Sequence, residues 1–97
     1  MKLTKEMILE FLKEHKNEFK EKYAIDKIGL FGSYSRDEAN ENSDIDLVIH
    51  TKVKKFRNRN ECKKQISEML QKDVDLGYFD SLKSYIQKDI QKDLIYV

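Results

Sequence analysis

The stretch that decides the fold of this chain is GSYSRDEANENSDIDLVI, residues 32–49. Its second half, DIDLVIH from Asp44 to His50, is rich in β-branched and aliphatic residues and reads as a strand. Residues two apart on a strand share a face, so Asp44 and Asp46 set two carboxylates side by side, with Cα atoms roughly 6–7 Å apart. In an arbitrary protein a lone D-x-D is most often a solvated strand end. Buried together, two carboxylates repel and lose solvation unless cations neutralise them. Hard oxygen ligands of this type suit Mg²⁺, which prefers carboxylates together with substrate phosphates.

The first half of the stretch supplies a complement. Gly32 and Ser33 stand twelve and eleven positions before Asp44, follow the apolar segment Lys27–Phe31, and open a turn or helix. Glycine lets a backbone approach a phosphate closely, and N–H groups at a helix start bind phosphate oxygens with help from a serine hydroxyl. Alone, Gly-Ser is an ordinary turn. Next to a carboxylate pair on the following strand, it outlines a triphosphate site. Asp75 lies between Val74 and Leu76 in a further strand, Val74–Phe79. It either faces water or joins the other two carboxylates, and their presence favours the second reading.

Outward from this centre, Met7, Ile8, Phe11, Leu12, His15 and Phe19 recur at helical spacing, with Thr4 as the N-cap. Lys27–Phe31 is a strand, Ser33–Ser43 a loop or short helix, and Thr51–Asn60 a basic connection. A second helix is expected from about Asn60 to Lys72, with Cys62, Ile66, Met69 and Leu70 inward. A last helix capped by Ser81 carries Leu82, Tyr85, Ile86 and Ile90. The apolar Leu94–Val97 end should be docked. Helix, strand, turn, strand, helix, strand, helix is an α/β (α+β) chain, with a small mixed β-sheet packed by helices in a single domain over residues 1–97.

Length and charge narrow the function. Ninety-seven residues leave little room for a separate substrate-binding domain, so an acceptor must be held on the surface or brought by a partner. Lys and Arg number 19 against 18 Asp and Glu, a balance that argues against affinity through blanketing nucleic acid with positive charge. One cysteine, Cys62, excludes an internal disulfide, and no apolar run approaches the ~20 residues that span a bilayer. The charged N-terminus does not read as a signal peptide, and a cytoplasmic protein is expected.

These motifs resemble a known family. Gly32-Ser33, ten residues, then Asp44-Ile45-Asp46 resembles the G-S-x10-D-x-D signature of the DNA polymerase β-like nucleotidyltransferase superfamily. The longer string FGSYSRDEANENSDIDLVI looks like the minimal nucleotidyltransferase (MNT) family, whose usual form is FGSxARG followed by SDIDLxV. The likeness extends over essentially the whole chain, including the third strand with its Asp and the closing QKDLIYV. It implies a polymerase β-like palm fold in which Asp44 and Asp46 hold two Mg²⁺ ions that bridge the triphosphate of ATP. It also implies that Asp75 completes the metal site and acts as base. Gly32 and Ser33 would contact the β- and γ-phosphates, and Arg36 matches the family's arginine beside them. One position departs: the family's Arg-Gly is Arg36-Asp37 here, an extra negative charge near the phosphates.

Stand-alone members of the family often serve as antitoxins beside HEPN-domain ribonuclease toxins, moving AMP from ATP onto a toxin tyrosine. The resemblance therefore implies a protein adenylyltransferase that forms a hetero-oligomer with such a toxin. A binding module that neutralises its partner by complex formation alone is the alternative from another class. Transfer to a small molecule or to RNA is a third, although those relatives generally carry an added helical domain. Elsewhere, His15 and His50 read as structural and Cys62 as a small buried hydrophobe. The basic run Lys52–Lys64 reads as a solvated face or as a docking surface beside the site. Tyr34 and Tyr78 could stack on a base or pack in the core.

Overall fold

The computed structural model describes residues 2–97. Helix α1, Lys5–Tyr23, begins where the Thr4 hydroxyl accepts a hydrogen bond from the Met7 N–H at 3.2 Å, satisfying one of the open donors of the first turn. Ile8, Leu12, Phe19 and Tyr23 are buried, while Met7, Phe11 and His15 sit half-buried along the edge of the same stripe. Ala24 takes a left-handed conformation at φ 57° and ends the helix.

Strand β1, Lys27–Phe31, runs directly into α2, a single turn over Gly32–Ser35. The chain returns as β2, Ile45–His50, antiparallel to β1, so Asp44 precedes the strand by one residue. Helix α3, Phe56–Leu70, crosses over to β3, Val74–Tyr78, which lies parallel to β2. A 3-10 turn at Phe79–Ser81 and helix α4, Ser84–Gln91, lead to β4, Ile95–Tyr96, which closes on the free edge of β1. The order β3-β2-β1-β4, with one parallel and two antiparallel pairings, is the mixed sheet packed by helices that the sequence predicts.

Several boundaries differ from expectation for physical reasons. Helix α3 starts a turn early because nothing from Phe56 to Arg59 breaks a helix, and tertiary bonds hold that turn down. Asn58 donates to the Tyr23 carbonyl at 3.3 Å and Arg59 to the Leu76 carbonyl at 2.7 Å. The helix stops at Gln71, which turns left-handed at φ 52°, so Lys72 lies outside it. Leu70, four residues after Ile66, continues the buried stripe, whereas Met69 is 52% exposed rather than inward. Ser81 caps no helix; its hydroxyl accepts from Lys54 Nζ at 2.8 Å, and α4 begins three residues later. The docked C-terminus is a fourth strand.

Alternation sorts the sheet into two faces. Ile28, Leu30, Ile45, Leu47, Ile49, Val74, Leu76 and Tyr78 form one core with Ile8, Leu12, Phe19, Cys62 and Ile66 of the helices. The opposite face carries Gly29, Phe31, Asp46, Val48, His50, Asp75 and Gly77. Leu94 and Tyr96 lie over it at Gly29, within 3 Å of where a Cβ would stand. Among the described residues, no helix is long and apolar enough to cross a membrane.

Candidate active site

Antiparallel pairing puts the end of β1 beside the start of β2, and the α3 crossover brings the start of β3 to that same edge. Phe31 pairs with Asp46, and Asp46 pairs with Asp75. The Gly32 turn, Asp46 and Asp75 therefore meet at one end of the sheet. Neighbouring strands lie about 4.8 Å apart, and register partners point to the same face, so Asp46 and Asp75 stand side by side. Asp44, just ahead of β2, is exposed and lines a groove with Ser43, Lys72 and Asp73.

Electrostatics single out Asp46. It is half-buried between two exposed carboxylates, Asp44 and Asp75. Desolvation first, then the charges of Asp75 and Asp44, push its carboxyl above the ordinary range, with Arg36 pulling back in the other direction. Among the described residues, no Lys, Arg or His pairs with any of the three. Such an uncompensated set of hard oxygens fits a divalent cation. Among the described residues, no three His, Cys, Asp or Glu side chains are grouped closely enough to hold a metal ion by themselves, so waters and substrate phosphates would have to complete the coordination. An open donor set of this kind matches Mg²⁺, which keeps waters and shares its coordination with phosphates.

The turn that follows β1 is built around Gly32. It holds φ +79°, a conformation that L side chains rarely adopt, and a Cβ there would strike the Asp46 carboxylate. Ser33 follows, half-buried, and its carbonyl accepts the Glu38 N–H at 2.9 Å. Arg36 caps the turn, but its guanidinium is already engaged. Nη1 donates to Asp93 Oδ2 at 2.7 Å and Nε to Glu38 Oε2 at 3.0 Å. Asp37 takes φ 58°, which explains why a glycine is at home there. Its carboxylate pairs with Lys5 Nζ at 3.1 Å, so the extra charge is largely compensated by α1.

The other sequence candidates fall outside this cluster. His15 stacks among Phe11 and Phe19, and its Nδ1 lies 2.8 Å from the Phe11 carbonyl. His50 closes the far end of β2 against the Tyr96 hydroxyl at 2.7 Å. Tyr34 and Tyr78 are buried in the core, which leaves neither ring free to stack on a base. The start of the basic run lies away from the carboxylates. It follows His50, four residues along β2 from Asp46, which is roughly 13 Å of strand. Cys62 is fully buried, and burial raises its thiol to about 12. Asp93 is the residue that sequence reasoning missed; it stands just before the apolar Leu94–Val97 end, and nothing in the local pattern gives it a role.

The nucleotidyltransferase domain model matches residues 12–97. A Methanocaldococcus jannaschii protein with a provisional protein adenylyltransferase name is 40% identical over 92 residues, 93% of this chain and 94% of that one. Protein adenylyltransferase MntA of Thermococcus cleftensis is 36% identical over 96 residues, 98% of this chain and 97% of its own. The same fold occurs in the complex of tri-AMPylated Shewanella oneidensis HEPN toxin with MNT antitoxin. The similarity there is 20% identity with a TM-score of 0.70, over 96% of this chain and 71% of that one. With a family match from Leu12 to the last residue and relatives this similar over nearly their full length, the chain belongs to the nucleotidyltransferase domain family.

Proposed function

We propose that this nucleotidyltransferase moves AMP from ATP onto a hydroxyl, a tyrosine, of a partner HEPN-domain toxin and so acts as its antitoxin. The observation that carries the reading is the pairing of Asp46 with Asp75 at the strand ends, with Asp44 alongside and the Gly32 turn against Asp46. The names of the most similar relatives support adenylyl transfer to protein, and the complex of an AMPylated HEPN toxin with MNT antitoxin supports the partner class.

In this reading Asp44, Asp46 and Asp75 hold Mg²⁺, two ions in the full complex. When bound, the cations supply charge neutralisation to the triphosphate and to the attacking and leaving oxygens. The backbone N–H groups and hydroxyl of the Gly32-Ser33 turn orient the β- and γ-phosphates, and Arg36 adds positive charge beside them. Asp75, the most open of the two paired carboxylates, accepts the proton of the acceptor hydroxyl. The hydroxyl oxygen bonds to the α-phosphorus, the bond to the bridging oxygen of pyrophosphate breaks, and the proton passes from Asp75 to solvent. Most of the acceleration comes from positioning and charge stabilisation.

The test is intact-mass measurement of a HEPN-domain toxin after incubation with this chain, ATP and Mg²⁺. A gain of one or more AMP units is expected with the native chain and none with an Asp44→Asn, Asp46→Asn double variant. Equal labelling by the variant would overturn the mechanism. Neutralisation of the toxin without any mass gain would assign the chain to the non-catalytic binding class.

A further inference from the structure

The phosphate turn is held from the far end of the chain, and a single residue does the holding. Ser35 Oγ donates to the Asp93 carbonyl, and Arg36 Nη1 donates to Asp93 Oδ2 at 2.7 Å. Asp93 thus grips two consecutive residues of the turn, one through its main chain and one through its side chain. It is itself well anchored. Its N–H donates to the Ile90 carbonyl at 3.0 Å, Leu94 rests on Gly29, and the Val97 N–H donates to the Ile28 carbonyl at 3.2 Å. The β4 pairing with β1 makes this anchor part of the sheet that carries Asp46.

An arginine on a surface turn loses considerable freedom when it must meet a ligand in one orientation, and a prior carboxylate contact removes most of that loss beforehand. Asp93 occupies Nη1, and the more exposed Glu38 occupies Nε. The guanidinium has five N–H donors, so the Nη2 edge is left to meet another anion. Arg36 ends the single turn that opens at Gly32, and Gly32 lies directly against the Asp46 carboxylate, so the guanidinium is carried by the turn that meets the carboxylates.

We propose that Asp93 is a positioning residue of the nucleotide site, fixing Arg36 so that its remaining N–H edge meets a triphosphate oxygen. The inference rests on the reading of Gly32–Arg36 as a phosphate grip. A competing arrangement, in which Asp93 withholds Arg36 from the nucleotide, carries the opposite sign. The hold on Ser35 by the Asp93 main chain favours positioning, because it fixes the turn independently of charge.

The experiment measures binding of a non-transferable ATP analogue with Mg²⁺, together with KM and kcat for transfer. It compares the native chain, Asp93→Asn, Arg36→Lys and the double variant. Asparagine keeps the size of Asp93 and the carbonyl that takes the Ser35 hydroxyl. Asp93→Asn is expected to weaken analogue binding about tenfold, in line with loss of one charge-assisted contact, and to raise KM with kcat held. In the Arg36→Lys background the same change should cost nothing further. Unchanged or tighter binding in Asp93→Asn would overturn the proposal, as would an undiminished loss in the Arg36→Lys background. A native chain that binds no analogue in Mg²⁺ would sink the phosphate-grip reading itself, a result separable from either of those.

Discussion

The backbone of Gly32 and the carboxylate of Asp46 occupy space that no side chain at position 32 could share. A Cβ on Gly32 would collide with Asp46 Oδ2 and lie 3.0 Å from its Cγ, and φ there is +79°. The two halves of the sequence motif, twelve residues apart at their nearest acid, are thus in contact through the absence of a methyl group. Gly32→Ala would strain the backbone and displace Asp46 at once. We expect it to destabilise the fold by about 1–3 kcal/mol, the usual cost of a non-glycine residue forced into such a conformation plus local repacking. Urea unfolding checks the stability, and transfer activity should fall with it. An alanine variant as stable and active as the native chain would mean that the turn relaxes freely.

Asp46 in its charged form works against the fold. Its carboxyl is raised, chiefly by desolvation and then by Asp75 and Asp44. For an acid raised on folding, the native state is favoured below the unfolded pKa and loses that advantage as pH climbs through the folded value. Ionising Asp46 therefore comes at the expense of the fold. In the absence of divalent cations, Asp46→Asn should melt a few degrees above the native chain at pH 7. The gap should close on acidification toward the ordinary carboxylate pKa of about 4. Mg²⁺ should raise the melting temperature of the native chain more than that of the variant. A variant that melts lower at pH 7 would show that the charge is compensated in the free protein.

Cys62 supplies a clock for opening of the core. It is fully buried on the inner face of α3, and desolvation lifts its thiol to about 12. At pH 8 the folded chain holds almost no thiolate, so alkylation should proceed only through unfolding, at a rate that rises with denaturant. The raised thiol favours the native state over the unfolded one only as a neutral group. That advantage is present below about pH 9 and fades as pH rises toward 12. Rapid alkylation in native buffer would place Cys62 nearer the surface than its packing against Ile66 and the sheet allows.

What was legible in the sequence is what short-range chemistry controls. The Thr4 cap, the α1 stripe, and the β-rich segments around Gly32, Asp46 and Asp75 follow from local pattern. Three features escaped because their causes are distant in sequence. The early start of α3 depends on Asn58 and Arg59 finding the Tyr23 and Leu76 carbonyls. β4 is a two-residue strand, too short for alternation to reveal, and it forms because β1 has a free edge. Asp93 reads as one more surface acid until the fold brings it against Ser35 and Arg36. The basic run starts away from Asp46, because following a strand in sequence means leaving from its opposite end.

The two glycines on the site-bearing face of the sheet should respond oppositely to the same substitution. A Cβ on Gly29 would stand 2.8 Å from Leu94 Cδ1 and 2.9 Å from Tyr96 Cδ1, whereas one on Gly77 would meet nothing within 4 Å. Neither adopts the left-handed conformation of Gly32. Gly29→Ala must push β4 away from β1, and overpacking of this sort costs about 1–3 kcal/mol. It should also loosen the segment that carries Asp93. Gly77→Ala removes only unfolded-state freedom and should stabilise by about 0.4–1 kcal/mol. Thermal melts of the two variants, run beside the native chain, read both signs in one experiment. Equal shifts would mean that Leu94 and Tyr96 do not press on Gly29 in solution, and the sheet would then have three firm strands and a loose fourth.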